Sequence, residues 1–322
     1  MLKKTITVAL LLSISKTVFC WGFFGHQKIN NYAVFLLPPQ MMAFYKPHID
    51  YITKHAVDPD KRRYMVADEG PRHYIDIDYY GRYPFNELPR KWDSAVAKYS
   101  LDTISSYGIV PWHVQIMLSR LTKAFKEKDE QRILKLSAEL GHYIADAHVP
   151  LHASMNHNGQ LSNQQGIHGF WESRVPELLA DKEWDFFVGK ATYIDNPGDF
   201  IWKRVLESAA AADTVLRAEK ELSKTINEDQ KFAFEQRNNV LVKQYSSLYT
   251  KAYDRLLNGM VERRMRDAIF AVASFWYTAW VNAGQPDLQT LSATTASEEQ
   301  NLQFDSLNLE WQNKPVKGRS CE

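Results

Sequence analysis

Between Ser137 and Glu172 the chain reads SAELGHYIADAHVPLHASMNHNGQLSNQQGIHGFWE. Two imidazole–carboxylate pairs stand four residues apart, His142 with Asp146 and His168 with Glu172. Residues at that spacing share one face of a helix, so each pair can close on a single metal ion. A third imidazole, His152, follows Pro150, where a helix should kink or stop. Imidazole mixed with carboxylate is a donor set suited to zinc. A surface ion pair would account for His142 and Asp146 alone, but the surroundings are apolar and a second pair repeats the spacing.

More donors stand upstream. Lys3 and Lys4 precede the apolar run Val8–Leu12, and Val18 and Cys20 fit the small-residue positions of a secretory cleavage site. Export with cleavage after Cys20, to the periplasm or outside the cell, is expected over lipid anchoring at Cys20, because Phe19 poorly suits a lipidated cysteine. Trp21 would then be the mature N-terminus. Its free amine and its own carbonyl oxygen could chelate a metal, and the amine titrates low enough for zinc to displace its proton. His26 lies just beyond. Further on, Pro71-Arg72-His73-Tyr74-Ile75-Asp76-Ile77-Asp78 supplies His73 with two alternating acids, and Asp58, Asp60 and Asp68 precede it as carboxylate candidates. His148, two residues from Asp146, should point to the far side of the helix. His48, His55 and His113 have no carboxylate at useful spacing, and His157 reads as a polar loop residue.

Helical periodicity dominates the elements that must position these groups. Helices are expected over 27–37, over 40–54 with a break at Pro47, and over 92–106, 111–126, 130–147, 166–180 and 199–224. Leu241, Tyr245, Leu248, Ala252, Leu256 and Met260 mark one face of another helix. Ala268–Val281 is nearly all apolar but too short to span a membrane, so it reads as a central core helix. Residues 58–91, rich in Pro, Gly, Asp and Arg, read as a long ordered loop of the kind that carries function. No strand pattern of length appears. The expected architecture is all-α: a signal peptide over 1–20, one helical domain with a metal cleft over 21–284, and a polar tail over 285–322.

Composition sets bounds. The chain has 322 residues, 13% aromatic, with a formal charge of +1. Loss of Lys3, Lys4 and Lys16 with the leader would make the mature chain slightly acidic, which excludes a basic protein that coats nucleic acid. Affinity for phosphate must come from a local site. Of the two cysteines only Cys321 would survive processing, so no disulfide could form within the mature chain.

Taken together, the N-terminal Trp21 and early His26, the His73-Tyr74-Ile75-Asp76 turn, and the H-x3-D-x5-H and H-x3-E runs resemble the superfamily of zinc-dependent phospholipases C and single-strand-specific nucleases. The resemblance covers most of the chain from Trp21 to Gly284. It implies an all-helical phosphodiesterase with three zinc ions. One would be held by Trp21, His26 and Asp146, a second by Asp58, His73, His142 and Asp146, and the third by His152, His168 and Glu172. Asp58 is chosen for its separation from His73, with Asp60 and Asp68 as the alternatives. Asp58 and Asp146 are then catalytic candidates, as is Lys61, which stands three residues after Asp58 where the nucleases carry a transition-state arginine; Arg62 is its neighbour. Tyr74 and Asp76 occupy the places of a base-stacking aromatic and a base-contacting carboxylate. Glu172 and the short gap from His152 to His168 resemble the phospholipases, whereas the short Trp21–His26 spacing resembles the nucleases. The resemblance thus implies a phosphodiester substrate, phospholipid slightly ahead of single-stranded nucleic acid, with no obligate protein partner and transient contact with a membrane surface. Three divalent ions against three carboxylates would leave a local positive excess that attracts the phosphodiester. A non-catalytic zinc-binding envelope protein is the alternative of another class.

Overall fold

Helix α6, Met260–Asn282, lies at the centre of the molecule. In the computed structural model, which describes residues 22–237, 240–288 and 291, its Met265, Ile269, Val272, Phe275 and Trp276 are completely buried. Each such side chain contributes about 1.5–3 kcal/mol of transfer free energy. Ala268, Ala271, Ala273 and Ala279 on the same helix let its neighbours approach closely. Those neighbours are α1 (Gly22–Val34), α2 (Val110–Glu127) and α3 (Glu130–Asp146). Trp276 donates its indole N–H to Ser137 O at 3.0 Å and stacks on Tyr45, which ties α6 to the middle of α3.

Helix α3 starts at an Asp129 cap, whose carboxylate accepts from Arg132 N, and is buried almost all round from Ser137 to Asp146. Gly141 is a point of contact with α1. A Cβ there would lie 2.0 Å from Asn30 Oδ1, and Asn30 Nδ2 donates to Ala138 O. That close approach brings His26 of α1 face to face with His142 of α3, with ring centroids 3.8 Å apart. Beyond Asp146 the freed carbonyls of the helix end find fixed donors. Ser208 Oγ, on α4 (Pro197–Leu222), donates to Ala147 O, and Arg264 Nε of α6 donates to His148 O.

The long segment 58–91 is built from helical turns at Asp58–Arg62, Gly70–His73 and Ile77–Tyr80. Its backbone is pinned from two sides: Ile75 N donates to His152 O, Asp76 N to Tyr107 O, and Ile109 N to Pro71 O. Two expectations about elements are corrected. The helix over 92–106 is broken at Ser100, where φ is +69° and the hydroxyl caps a new turn at Thr103. Leu241 and Tyr245 do not begin a helix. They belong to strand β2 (Val240–Tyr245), antiparallel to β1 (Phe232–Arg237), and the helix α5 that follows is Ser247–Leu256. The expected leader, Trp21 and most of the expected tail fall outside the described residues.

Candidate metal centre

Six segments converge on one buried cluster. Helix α1 supplies His26, the turn Asp58–Arg62 supplies Asp60, the end of Gly70–His73 supplies His73, and α3 supplies His142 and Asp146 one turn apart. The turn Pro150–Ala153 supplies His152. Ile167–Gly169, running into the π-helical turn Phe170–Arg174, supplies His168 and Glu172. All eight side chains are buried. They form three triads positioned for a trinuclear metal cleft: His26–His142–Asp146, Asp60–His73–His142 and His152–His168–Glu172.

Asp146 lies at the junction. Its Oδ1 is 3.4 Å from His26 Nε2 and 3.7 Å from His152 Nδ1, and its Oδ2 is 2.9 Å from His73 Nδ1 and 3.2 Å from His142 Nε2. Asp60 is 3.6–4.0 Å from His142, His73 and His26. In the third triad, Glu172 Oε2 lies 3.0 Å from His168 Nε2 and 3.6 Å from His152 Nε2.

The chemistry of this donor set fits metal ions. His142, His152 and His168 each spend one ring N–H on a backbone carbonyl, of Ala56, His73 and His157 respectively. Each ring therefore turns its Nε2 into the cluster. His152 Nε2 and His168 Nε2 face each other at 3.1 Å, a repulsive arrangement of lone pairs that a cation relieves. Among the described residues, both nitrogens of His26, both carboxylate oxygens of Asp60 and Asp146 Oδ1 are buried without a hydrogen-bond partner. Orphans at this density are costly in a folded protein unless an ion is bound there.

Electrostatics agree. Burial pushes the Asp146 carboxyl up, but the charges of His142 and His152 and the hydrogen bond from His142 more than offset it. They hold the group well below the ordinary carboxylate range. Burial lowers His142, and the charges of Asp146 and Asp60 outweigh that to push it up to about 9. A proton on His142 thus stands where a metal cation would.

Glu69 completes the surroundings of His73. Its Oε1 lies 3.5 Å from His73 Nε2, leaving Nδ1 for the cluster. Arg72 and Arg62 contact its Oε2 at 2.7 and 3.3 Å, and the Tyr143 hydroxyl donates to Oε1. Burial would raise Glu69, but the adjoining His73 imidazole and the charge of Arg62 lower it far more. Sequence reasoning passed over this residue, although Glu69 and His73 have the same spacing of four as His142 and Asp146.

Several expected site residues land elsewhere. Asp60, not Asp58, joins the cluster. On a helical turn, residues two apart point about 200° from each other. Asp58 therefore faces out, with Oδ2 2.5 Å from His55 Nδ1 and Oδ1 2.9 Å from Lys61 Nζ. Lys61 is half exposed in that pair. Arg62 turns to Glu139 and Glu69 and supports the shell behind His73. Tyr74 is only 2% exposed and donates its hydroxyl to Ser106 O, so its ring has no open face on which a base could stack. Asp76 is buried as well, its backbone bonded to Tyr107 O. Trp21 lies outside the described residues. His148 is buried just past the end of α3, its Nδ1 donating to Ile144 O.

A family model described as zinc dependent phospholipase C matches residues 25–249. No curated protein matches the chain.

Proposed function

The chain belongs to the zinc-dependent phospholipase C family and is a zinc-dependent hydrolase, and from that premise we propose that it is exported and cleaves the head-group phosphodiester of glycerophospholipids. The observation that carries the reading is the assembly of three buried His/carboxylate triads, two of them beside Asp146, within a chain of this family. Glu172 and the short connection from His152 to His168 support a lipid substrate over a nucleic acid. So does the burial of Tyr74, which removes the stacking surface a single-stranded substrate would use.

When bound, zinc ions supply Lewis-acid polarisation of a phosphoryl oxygen and acidify water near neutral pH. This chain's residues do the rest. Asp60, His26, His73 and His142 gather around Asp146, while His152, His168 and Glu172 form the neighbouring set. The carbonyls of Ala56, His73 and His157 orient the rings of His142, His152 and His168, and Glu69 stands behind that of His73. No donor has to reorient when a phosphodiester arrives, the preorganised condition under which electrostatic stabilisation is most effective.

Export with cleavage before Trp21 fits the same site. A Cβ on Gly22 would lie 2.7 Å from Ser173 Oγ, and Ser173 follows Glu172 in the chain, which supports a processed terminus close to that turn. The test compares the purified mature protein on phosphatidylcholine vesicles and on single-stranded DNA, with N-terminal sequencing of the exported form. Phosphocholine release, lost on chelation and regained with zinc, is the expected result. Cleavage of DNA with no action on lipid would overturn the substrate assignment.

A further inference from the structure

The β1–β2 hairpin carries exposed apolar side chains that the other described residues do not cover. Phe234, Val240 and Leu241 are 68%, 61% and 66% exposed. The register places Phe234 opposite Lys243 and Leu241 opposite Gln236 on one face, and Val242 opposite Glu235 on the other. Both faces of the outer half therefore carry exposed apolar side chains. A lone two-stranded ribbon with such a surface is marginal in water.

Its base, by contrast, is fixed to the catalytic region. Arg174 ends the turn that bears Glu172, and it donates to Tyr245 O and pairs with Glu235. Phe170, at the start of that turn, stacks on Tyr245 with ring centroids 3.7 Å apart. Glu219 of α4 accepts from Lys231 at the hairpin's foot, from Tyr249 of α5, and from Gln164 in the loop that leads to His168. Six residues of strand extend about 20 Å from that base.

The charges between Lys231 and Tyr245 are Lys231, Arg237 and Lys243 against Glu235 alone, and Glu235 is neutralised by Arg174. Lys243 also lies 4.3 Å from the centroid of the Phe232 ring. Aromatic and aliphatic side chains interleaved with cations match the boundary between acyl chains and anionic head groups. A soluble protein ligand would not call for apolar side chains on both faces of one ribbon.

We propose that this hairpin is the interfacial anchor that seats the enzyme on an anionic phospholipid surface, with the segment carrying Glu172 next to the bilayer. The inference deepens the lipid-hydrolase reading and rests on it. Insertion concerns Phe234, Val240, Leu241 and Val242; Lys243 adds attraction to acidic lipid.

The test uses the full mature, zinc-loaded protein, its Phe234→Ser/Leu241→Ser variant and a Lys243→Glu variant. Binding is read by co-sedimentation with vesicles of phosphatidylcholine and phosphatidylserine. Hydrolysis is read on the same vesicles and on monomeric dihexanoylphosphatidylcholine. The double variant should lose vesicle binding and vesicle hydrolysis by roughly tenfold or more, with hydrolysis of the monomeric lipid unchanged. Lys243→Glu should weaken binding only to vesicles that contain phosphatidylserine. Wild-type binding retained in full by the double variant overturns the proposal, as does a wild-type protein that ignores vesicles while cleaving the monomeric lipid. So does self-association of the wild-type protein without lipid that the double variant abolishes, which would make the hairpin a contact between copies. If neither lipid form is cleaved, the substrate reading fails, and co-sedimentation still decides the anchor.

Discussion

The two halves of the metal centre are held in different ways. In one half, His26, Asp60, His73, His142 and Asp146 come from four separate segments, and His73 is aimed by an ionised carboxylate, Glu69, itself held by two arginines and a tyrosine. In the other half, His152, His168 and Glu172 lie close in sequence, and both imidazoles are aimed by backbone carbonyls, those of His73 and His157. A carboxylate behind an imidazole makes it a stronger donor than a carbonyl does, but it relies on side chains that a single substitution can remove. The carbonyl-held half relies on the path of the chain. The halves meet at Asp146 and at His73, whose ring serves one while its carbonyl orients the other.

Asp146 is where that contrast breaks most severely. Asp146→Asn removes the charge shared by the donors of both halves, and hydrolysis of bis-p-nitrophenyl phosphate should fall on the order of a thousandfold. Metal analysis of the variant should show zinc lost chiefly from the half containing His26, His73 and His142, and retained by His152, His168 and Glu172. Full zinc content with full activity would remove Asp146 from the junction.

Glu69 sharpens the contrast from the other direction. Glu69→Gln leaves every donor of the cluster in place and removes only the charge behind His73. Zinc affinity of that half should drop about 10–100-fold, measured by competition with a chromophoric chelator, while the tightest remaining zinc stays with the carbonyl-held half. A uniform loss from both halves would mean that Glu69 acts through general stability, as the shared partner of Arg62 and Arg72, and not by aiming His73.

The same division explains what could be read from the sequence. His142, Asp146, His168 and Glu172 were legible because helical period alone places each pair on one face, and the apolar run of α6 announced a core helix. The hairpin was not legible. Leu241, Tyr245, Leu248 and Ala252 fall three or four apart by coincidence, and that spacing masks the alternation of Phe232, Phe234 and Gln236 against Leu241, Lys243 and Tyr245. The break at Ser100 escaped because a serine at positive φ leaves no mark on the apolar pattern. Tyr74 looked available because it follows a donor histidine. Its burial depends on Gly108, where a Cβ would lie 2.2 Å from Tyr74 O, a contact between segments that no local pattern encodes.

Asp58 and Asp60 form the finest case, two acids of one type on a single turn that differ only in direction. Asp58 is about one-third exposed and already satisfied by His55 and Lys61, whereas Asp60 is buried and looks into the cluster. Asp58→Asn should therefore leave zinc content and hydrolysis within about twofold of wild type, and the lost surface pairing should cost no more than about 1 kcal/mol of stability. Asp60→Asn, compared alongside, should lose zinc from the half containing His73. If the two substitutions exchange their effects, the turn Asp58–Arg62 must rotate when metal binds. The carboxylate nearer His55 would then be the donor, and the half built from distant segments would be assembled by the ions instead of standing ready for them.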